Sequence, residues 1–181
     1  EADIRSARIA RRSVDARDRR DVHFTLSLDV TLMSPKAEQT LIRRFQKNQA
    51  VRMDTPDEHD VFHLPVAPYD PDRPRPVVIG AGPAGLFCAL GLAARGAKPV
   101  LLERGKRVDD RVPDLAALLH DGVLNPESNA LFGEGGAGAF SDGKLTCGLN
   151  DPVIRTVLKT LVTCGAPEDI LADARPHIGT D

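Results

Sequence analysis

Between Asp21 and Val30 polar and apolar residues alternate, with Val22, Phe24, Leu26, Leu28 and Val30 on one face. Period two marks a half-buried strand, because successive side chains of extended backbone point to opposite sides. Ser34-Pro35 then opens a helical stretch, with serine in the N-cap place, proline in the first turn and Glu38 following. Leu41, Ile42 and Phe45 supply its buried stripe, and Val61, Phe62 and Leu64 predict a further short strand. Residues 1–64 are thus expected to form a small α+β domain.

The pattern then breaks. Five prolines fall between Pro65 and Pro76, interleaved with Asp70, Asp72, Arg73 and Arg75. Such a segment lacks the donors a sheet interior needs and prefers extended geometry, so 65–76 reads as a domain linker. All fifteen glycines of the chain come after it. Val77-Val78-Ile79 is a wholly apolar β-branched run, as expected for a parallel strand covered on both faces. It enters Gly80-Ala81-Gly82-Pro83-Ala84-Gly85, and a stretch to Arg95 follows that is apolar nearly all round, predicting a buried helix. Gly85, Ala89 and Ala93 recur every fourth residue, a flat face for contact with strands. Gly96 is placed to end the helix, and Lys98 to Glu103 reads as the second strand.

Strand, GxGxxG, helix and strand in that order predict a Rossmann-like βαβ unit over 76–103. Each glycine has a mechanical task. Gly80 permits the tight turn, Gly82 lets backbone approach a pyrophosphate, and Gly85 lets helix pack on strand. Pro83 and Ala84 open the helix, where the missing N–H of proline matters least. The free amides of that first turn, with the helix dipole, favour a diphosphate. Glu103 closes the second strand 23 residues after Gly80, where a carboxylate accepts hydrogen bonds from ribose hydroxyls.

The segment Val78 to Leu86, with Ala89, Gly96 and Glu103-Arg104-Gly105, resembles the amino-terminal FAD motif of the two-dinucleotide-binding-domain flavoproteins. The later run Phe132-Gly133-Glu134-Gly135-Gly136-Ala137-Gly138-Ala139-Phe140-Ser141-Asp142-Gly143-Lys144-Leu145 is similar to a little-characterised bacterial family of FAD-dependent dehydrogenases. Ser13 to Arg17 and Pro176 to Asp181 are also similar to that family. The resemblance implies that Gly80, Ala81, Gly82, Pro83, Ala84 and Gly85 meet the FAD pyrophosphate, and that Glu103 and Arg104 lie at the adenosine. It also implies that the loop 133–143, through Gly135, Gly136, Gly138 and Ser141, lies near the ribityl chain or flavin. Members of the family run to several hundred residues, so the chain is expected to be the N-terminal part of a FAD-binding Rossmann-like domain (77–181), incomplete and preceded by the α+β piece.

Composition narrows the alternatives. A net charge of −2 gives no reason to expect nucleic acid or an acidic membrane as partner, and no run is apolar for long enough to span a bilayer. The N-terminus is charged, without the basic stub and apolar run of a secretory signal, and the three cysteines are few and far apart. A cytoplasmic protein with free thiols is expected. Residues 1–21 hold seven arginines but also five acids, which predicts intramolecular pairing more than RNA binding. Gly138 to Lys144 satisfies GxxxxGK, but Leu145 stands where a triphosphatase needs serine or threonine. His59 and His63 sit on an expected strand, a poor metal pair, so no metal is expected. Cys147 lacks a CxxC partner, and nothing selects a catalytic residue among His120, Asp142 and Lys144. The expectation is the FAD-binding portion of a flavin-dependent oxidoreductase acting on a small molecule, with NAD(P)H as a conceivable co-substrate. An NAD(P)-linked dehydrogenase and a nucleotide-containing module that contacts RNA or protein are the alternatives.

Overall fold

The computed structural model describes residues 4–45, 47–48, 51–53, 70–149 and 151–179. The chain divides into two units, one made of residues 1–59 with 144–178, the other of 60–143 with 179–181. The strand expected at Val61 to Leu64, the pair His59 and His63, and the first part of the proline-rich segment lie outside the described residues.

In the first unit β1 (Ile4–Asp15) pairs antiparallel with β2 (His23–Leu32). The alternation at 21–30 is therefore a strand, and its apolar residues do share a face. Phe24, Leu26, Leu28 and Val30 nevertheless remain 44% to 64% exposed. Sequence patterning did not reveal β1. Its register slips between Ile4 and Ser6 and again between Ile9 and Arg11, and each irregularity interrupts period two. The arginines of this segment pair internally, as their mixture with acids suggested. Arg8 reaches Asp29 at 2.8 Å, while in the connecting turn Asp15 accepts the backbone N–H of Arg17 at 3.1 Å and Asp18 that of Arg20 at 2.9 Å.

At the far end of β2, α1 (Pro35–Arg44) begins after Ser34. The Ser34 hydroxyl makes no cap bond; Glu38 folds back instead and accepts the N–H of Leu32 at 3.0 Å. Leu32 is the buried member of the strand, and the stripe Leu41, Ile42 and Phe45 is half-buried. Residues 144–178 make their contacts here, although their sequence position follows the glycine-rich part. The 3₁₀ turn Glu168–Leu171 packs on α4 (Val153–Thr163), burying Ile170 and Thr156. The Arg12 N–H donates to the Ala172 carbonyl at 2.6 Å, the Ala174 N–H donates to the Arg12 carbonyl at 2.9 Å, and the Arg12 guanidinium meets Asp173 at 2.8 Å. Arg12 and Asp173 are 161 residues apart, a separation at which local pattern carries no information.

In the second unit β3 (Val77–Ile79) pairs parallel with β4 (Val100–Leu102), and α2 (Pro83–Ala94) makes the crossover. The fold is α/β with a βαβ unit, as the sequence implied. The expected burial is not met. Val77 is 58% and Ile79 86% exposed, and α2 holds no buried residue, with Leu86 and Leu90 open on its surface. A two-stranded sheet carrying one helix leaves its other face bare, and two strands cannot surround a helix. Arg75, at the end of the proline-rich segment, donates to the carbonyls of Lys98 at 2.6 Å and Pro99 at 3.2 Å, which ties the entry of β3 to that of β4. After β4 come α3 (Val108–Asp121), closed by Gly122, and the 3₁₀ turn Gly136–Phe140. Among the described residues no helix is long and apolar enough to cross a membrane.

Ile170 is the most completely buried apolar residue of the first unit. Ile170→Ala should destabilise that unit by about 2–5 kcal/mol, read as a lower midpoint in urea unfolding followed by circular dichroism.

Candidate dinucleotide-binding site

The site begins where β3 ends. The Gly80 N–H donates to the Leu102 carbonyl at 2.7 Å, the last rung of the parallel ladder, and a φ of +98° at Gly80 then turns the chain. Gly82 caps α2 and Pro83 takes its first turn. The first helical bond runs from the Leu86 N–H to the Gly82 carbonyl at 2.9 Å, so the amides of Ala84 and Gly85 have no partner within the helix. A Cβ at Gly85 would run into the Gly80 carbonyl, which is why the helix can start so close to the strand. At Gly80 and Gly82 a Cβ would meet nothing within 4 Å, so the surface of the turn is open.

Glu103, just past β4, stabilises this turn directly. Oε2 accepts the Ala81 N–H at 2.6 Å and Oε1 accepts the Gly105 N–H at 2.8 Å. These two bonds, first that of Ala81, hold the carboxyl below its usual range, and the positive charge of Arg111 adds to the effect. The Arg104 backbone N–H adds to the lowering, and since a carboxylate has about four acceptor positions, capacity remains for a further donor.

The second glycine loop lies against the first. The Gly135 N–H donates to the Ala81 carbonyl at 2.9 Å, and a Cβ at Gly136 would stand 3.3 Å from Gly82 Cα and from Pro83 Cδ. The fold thus brings Gly80 to Gly85, Glu103, Gly135 and Gly136 together from three separate stretches of chain. Gly138, on the 3₁₀ turn, faces open space, while the Ser141 hydroxyl is engaged locally, donating to the Gly138 carbonyl at 2.9 Å and accepting the Gly143 N–H at 3.2 Å. Arg104 stacks on Phe132, its Cζ 4.5 Å from the ring centroid, and stands 3.5 Å from Glu127. Residues 145–149, directly after Lys144, form no helix, in agreement with setting the GxxxxGK match aside.

Sequence reasoning missed Arg111. Among Asp109, Asp110 and Arg107 it reads as part of a solvated charged turn, yet its exposure is 0%. Nη1 donates to the carbonyls of Glu134 at 2.6 Å and Gly136 at 3.0 Å, and Nη2 and Nε to that of Asn129 at 3.1 and 3.3 Å. Gly133 has φ +114°, and a Cβ there would lie 2.7 Å from Arg111 Cδ. Gly105 packs on Gly133 in turn, its Cβ position 2.6 Å from Gly133 Cα. Two glycines without a place in the GxGxxG were the available signal that something bulky fills this region.

Strand, glycine turn, helix, strand and terminal carboxylate in this geometry define a Rossmann-like nucleotide-binding module of the oxidoreductase type. Residues 78–113 match the family model described as NAD(P)-binding Rossmann-like domain, and residues 1–31 match a Domain of unknown function (DUF8436). An uncharacterized protein of Clostridium beijerinckii is 40% identical over 179 residues, a match that covers 99% of this chain and 32% of that protein. The chain therefore spans about a third of the length of this relative.

Gly85→Ala should destabilise the second unit by about 1–3 kcal/mol, measured by denaturant unfolding, because the added Cβ would meet the Gly80 carbonyl, a backbone group that can give way only if the turn or the helix shifts. Glu103→Gln should lower the melting temperature at pH 7 by about 2–4 °C, since a neutral amide has one acceptor oxygen for two backbone donors. A carboxyl whose pKa is depressed in the folded state contributes stability above its unfolded value, and that contribution fades as the pH drops through the folded value. The gap between wild type and Glu103→Gln should accordingly close as the pH is lowered below about 4.5. A gap that stays constant down to pH 3 would rule the ionised carboxylate out as its origin.

Proposed function

We propose that this chain forms the FAD-binding portion of a flavin-dependent oxidoreductase, with the diphosphate held by the two glycine loops. The observation that carries this reading is the contact between the loops, Gly135 on Ala81 at 2.9 Å and Gly136 against Gly82. A simple NAD(P) unit needs only the first loop, whereas a longer cofactor with ribityl and flavin parts has use for amides on a second. The residues present suit such a group. Gly80, Gly82 and Gly138 leave open space where a side chain would intrude. The amides of Ala84 and Gly85, at the positive end of α2, suit phosphate oxygens.

Each residue then has a defined task. Gly82 admits the diphosphate to backbone distance, and the α2 amides bind its oxygens. Glu103 positions the turn through Ala81 and accepts from the ribose hydroxyls with its remaining lone pairs. Its negative charge also disfavours a ribose 2′-phosphate, which argues for FAD or NAD over NADP. Gly136 and Gly138 line the next part of the cofactor. Bound FAD supplies hydride or electron transfer, and the protein supplies position and electrostatics. The substrate is proposed to be a small molecule, the compartment the cytoplasm, and no role for nucleic acid is proposed.

The NAD(P)-linked reading is favoured by the description of the family model that matches 78–113. Titrating the chain with FAD, NADH and NADPH separates the two, with flavin and nicotinamide fluorescence as readouts. FAD alone should bind, and binding of NADH without FAD would overturn the flavin reading. A Gly82→Val variant should lose at least about tenfold in affinity by blocking the backbone approach.

A further inference from the structure

The second unit buries a full positive charge, and the cofactor contacts just described do not use it. Every hydrogen bond of the Arg111 guanidinium ends on a backbone carbonyl, those of Asn129, Glu134 and Gly136, and the Phe140 ring centroid lies 4.7 Å from its Cζ. Among the described residues no carboxylate forms an ion pair with it. Carbonyl dipoles satisfy the donors but leave the charge itself without an ionised counterpart in contact.

The bonds also orient the loop. A peptide unit is planar and trans, so its C=O and the following N–H point in opposite directions. With the Glu134 carbonyl drawn to Arg111, the Gly135 N–H is turned the other way, and it meets Ala81. With the Gly136 carbonyl drawn to Arg111, the Ala137 N–H is likewise turned away from the guanidinium. The same grip sets Gly136 against Gly82 and Pro83.

We propose that Arg111 is the positioning residue of the diphosphate site, supplying a buried positive charge beneath the two glycine loops and keeping the second loop's carbonyls away from the phosphates. This rests on the reading that the loops take a dinucleotide. A diphosphate then adds negative charge for Arg111 to stabilise beside the Glu103 carboxylate, which already feels its charge, whereas an uncharged nucleoside gains nothing from it. A merely structural arginine would affect both ligands alike.

The test is calorimetric titration of the 181-residue chain with ADP and with adenosine, for wild type, Arg111→Met and Arg111→Lys. Wild type should bind ADP more tightly than adenosine. Arg111→Met should weaken ADP by about tenfold or more while changing adenosine by less than about twofold. Arg111→Lys keeps the charge but not the planar fork, so its ADP loss should be smaller, about threefold, and equally selective. Equal weakening of both ligands, or unchanged ADP affinity, overturns the proposal. Should Arg111→Met fail to fold, Arg111→Lys decides by the same comparison. A wild-type chain with no preference for ADP refutes the dinucleotide reading itself, and the proposal with it.

Discussion

At several glycines of the second unit backbone meets backbone without an intervening side chain, and the site depends on that closeness. A Cβ at Gly85 would overlap the carbonyl of Gly80, one at Gly105 would sit 2.6 Å from Gly133 Cα, and one at Gly136 would touch Gly82. Glycine at these points lets three loops that are distant in sequence lie in direct contact. Close approach leaves few side chains to hold the loops, so polar bonds take over. Glu103 clasps the first loop through Ala81 and Gly105, and Arg111 clasps the second through Glu134 and Gly136. The most buried side chains of this unit are accordingly polar, Arg111 and Ser128 among them.

An ionised acid at the first loop and a buried cation under the second both act where the two glycine loops meet. Glu103, from the end of β4, holds the Ala81 N–H, and the Ala81 carbonyl in turn takes the Gly135 N–H. Such a junction suits a ligand that carries both a diphosphate and a ribose. The open surface at Gly80 and Gly82 and the amides at the start of α2 that lack a partner within the helix fit the same ligand. No single one of these features is specific; their registration on one surface is what carries the functional reading.

The first unit is organised on a different basis. Its hairpin is charged along one face and apolar along the other, and the arginines that look basic in sequence are largely paired with acids in space, Arg8 with Asp29 and Arg12 with Asp173. Exposed pairs of this kind contribute little stability individually. Burial of Leu32 and Ile170, where α1, α4 and the last 3₁₀ turn come in, does more.

By itself the sequence determined the local elements whose cause is local. The alternation at 22–30 specified β2, Ser34-Pro35 started α1, and Val77 to Glu103 specified a βαβ unit down to the capping role of Gly96. These follow from side-chain period and from the φ values that glycine and proline allow, both legible over a few residues. Tertiary structure alone decided the rest. It placed the second glycine loop on the first, put Arg111 inside a helix turn that reads as solvated, and joined residues 144–178 to β1. It also left β3 and α2 half-open where an apolar pattern implied cover on all sides. Periodicity reports which way a residue faces, but the layer that will cover it, and the partner that will satisfy a buried charge, come from segments far away in the chain.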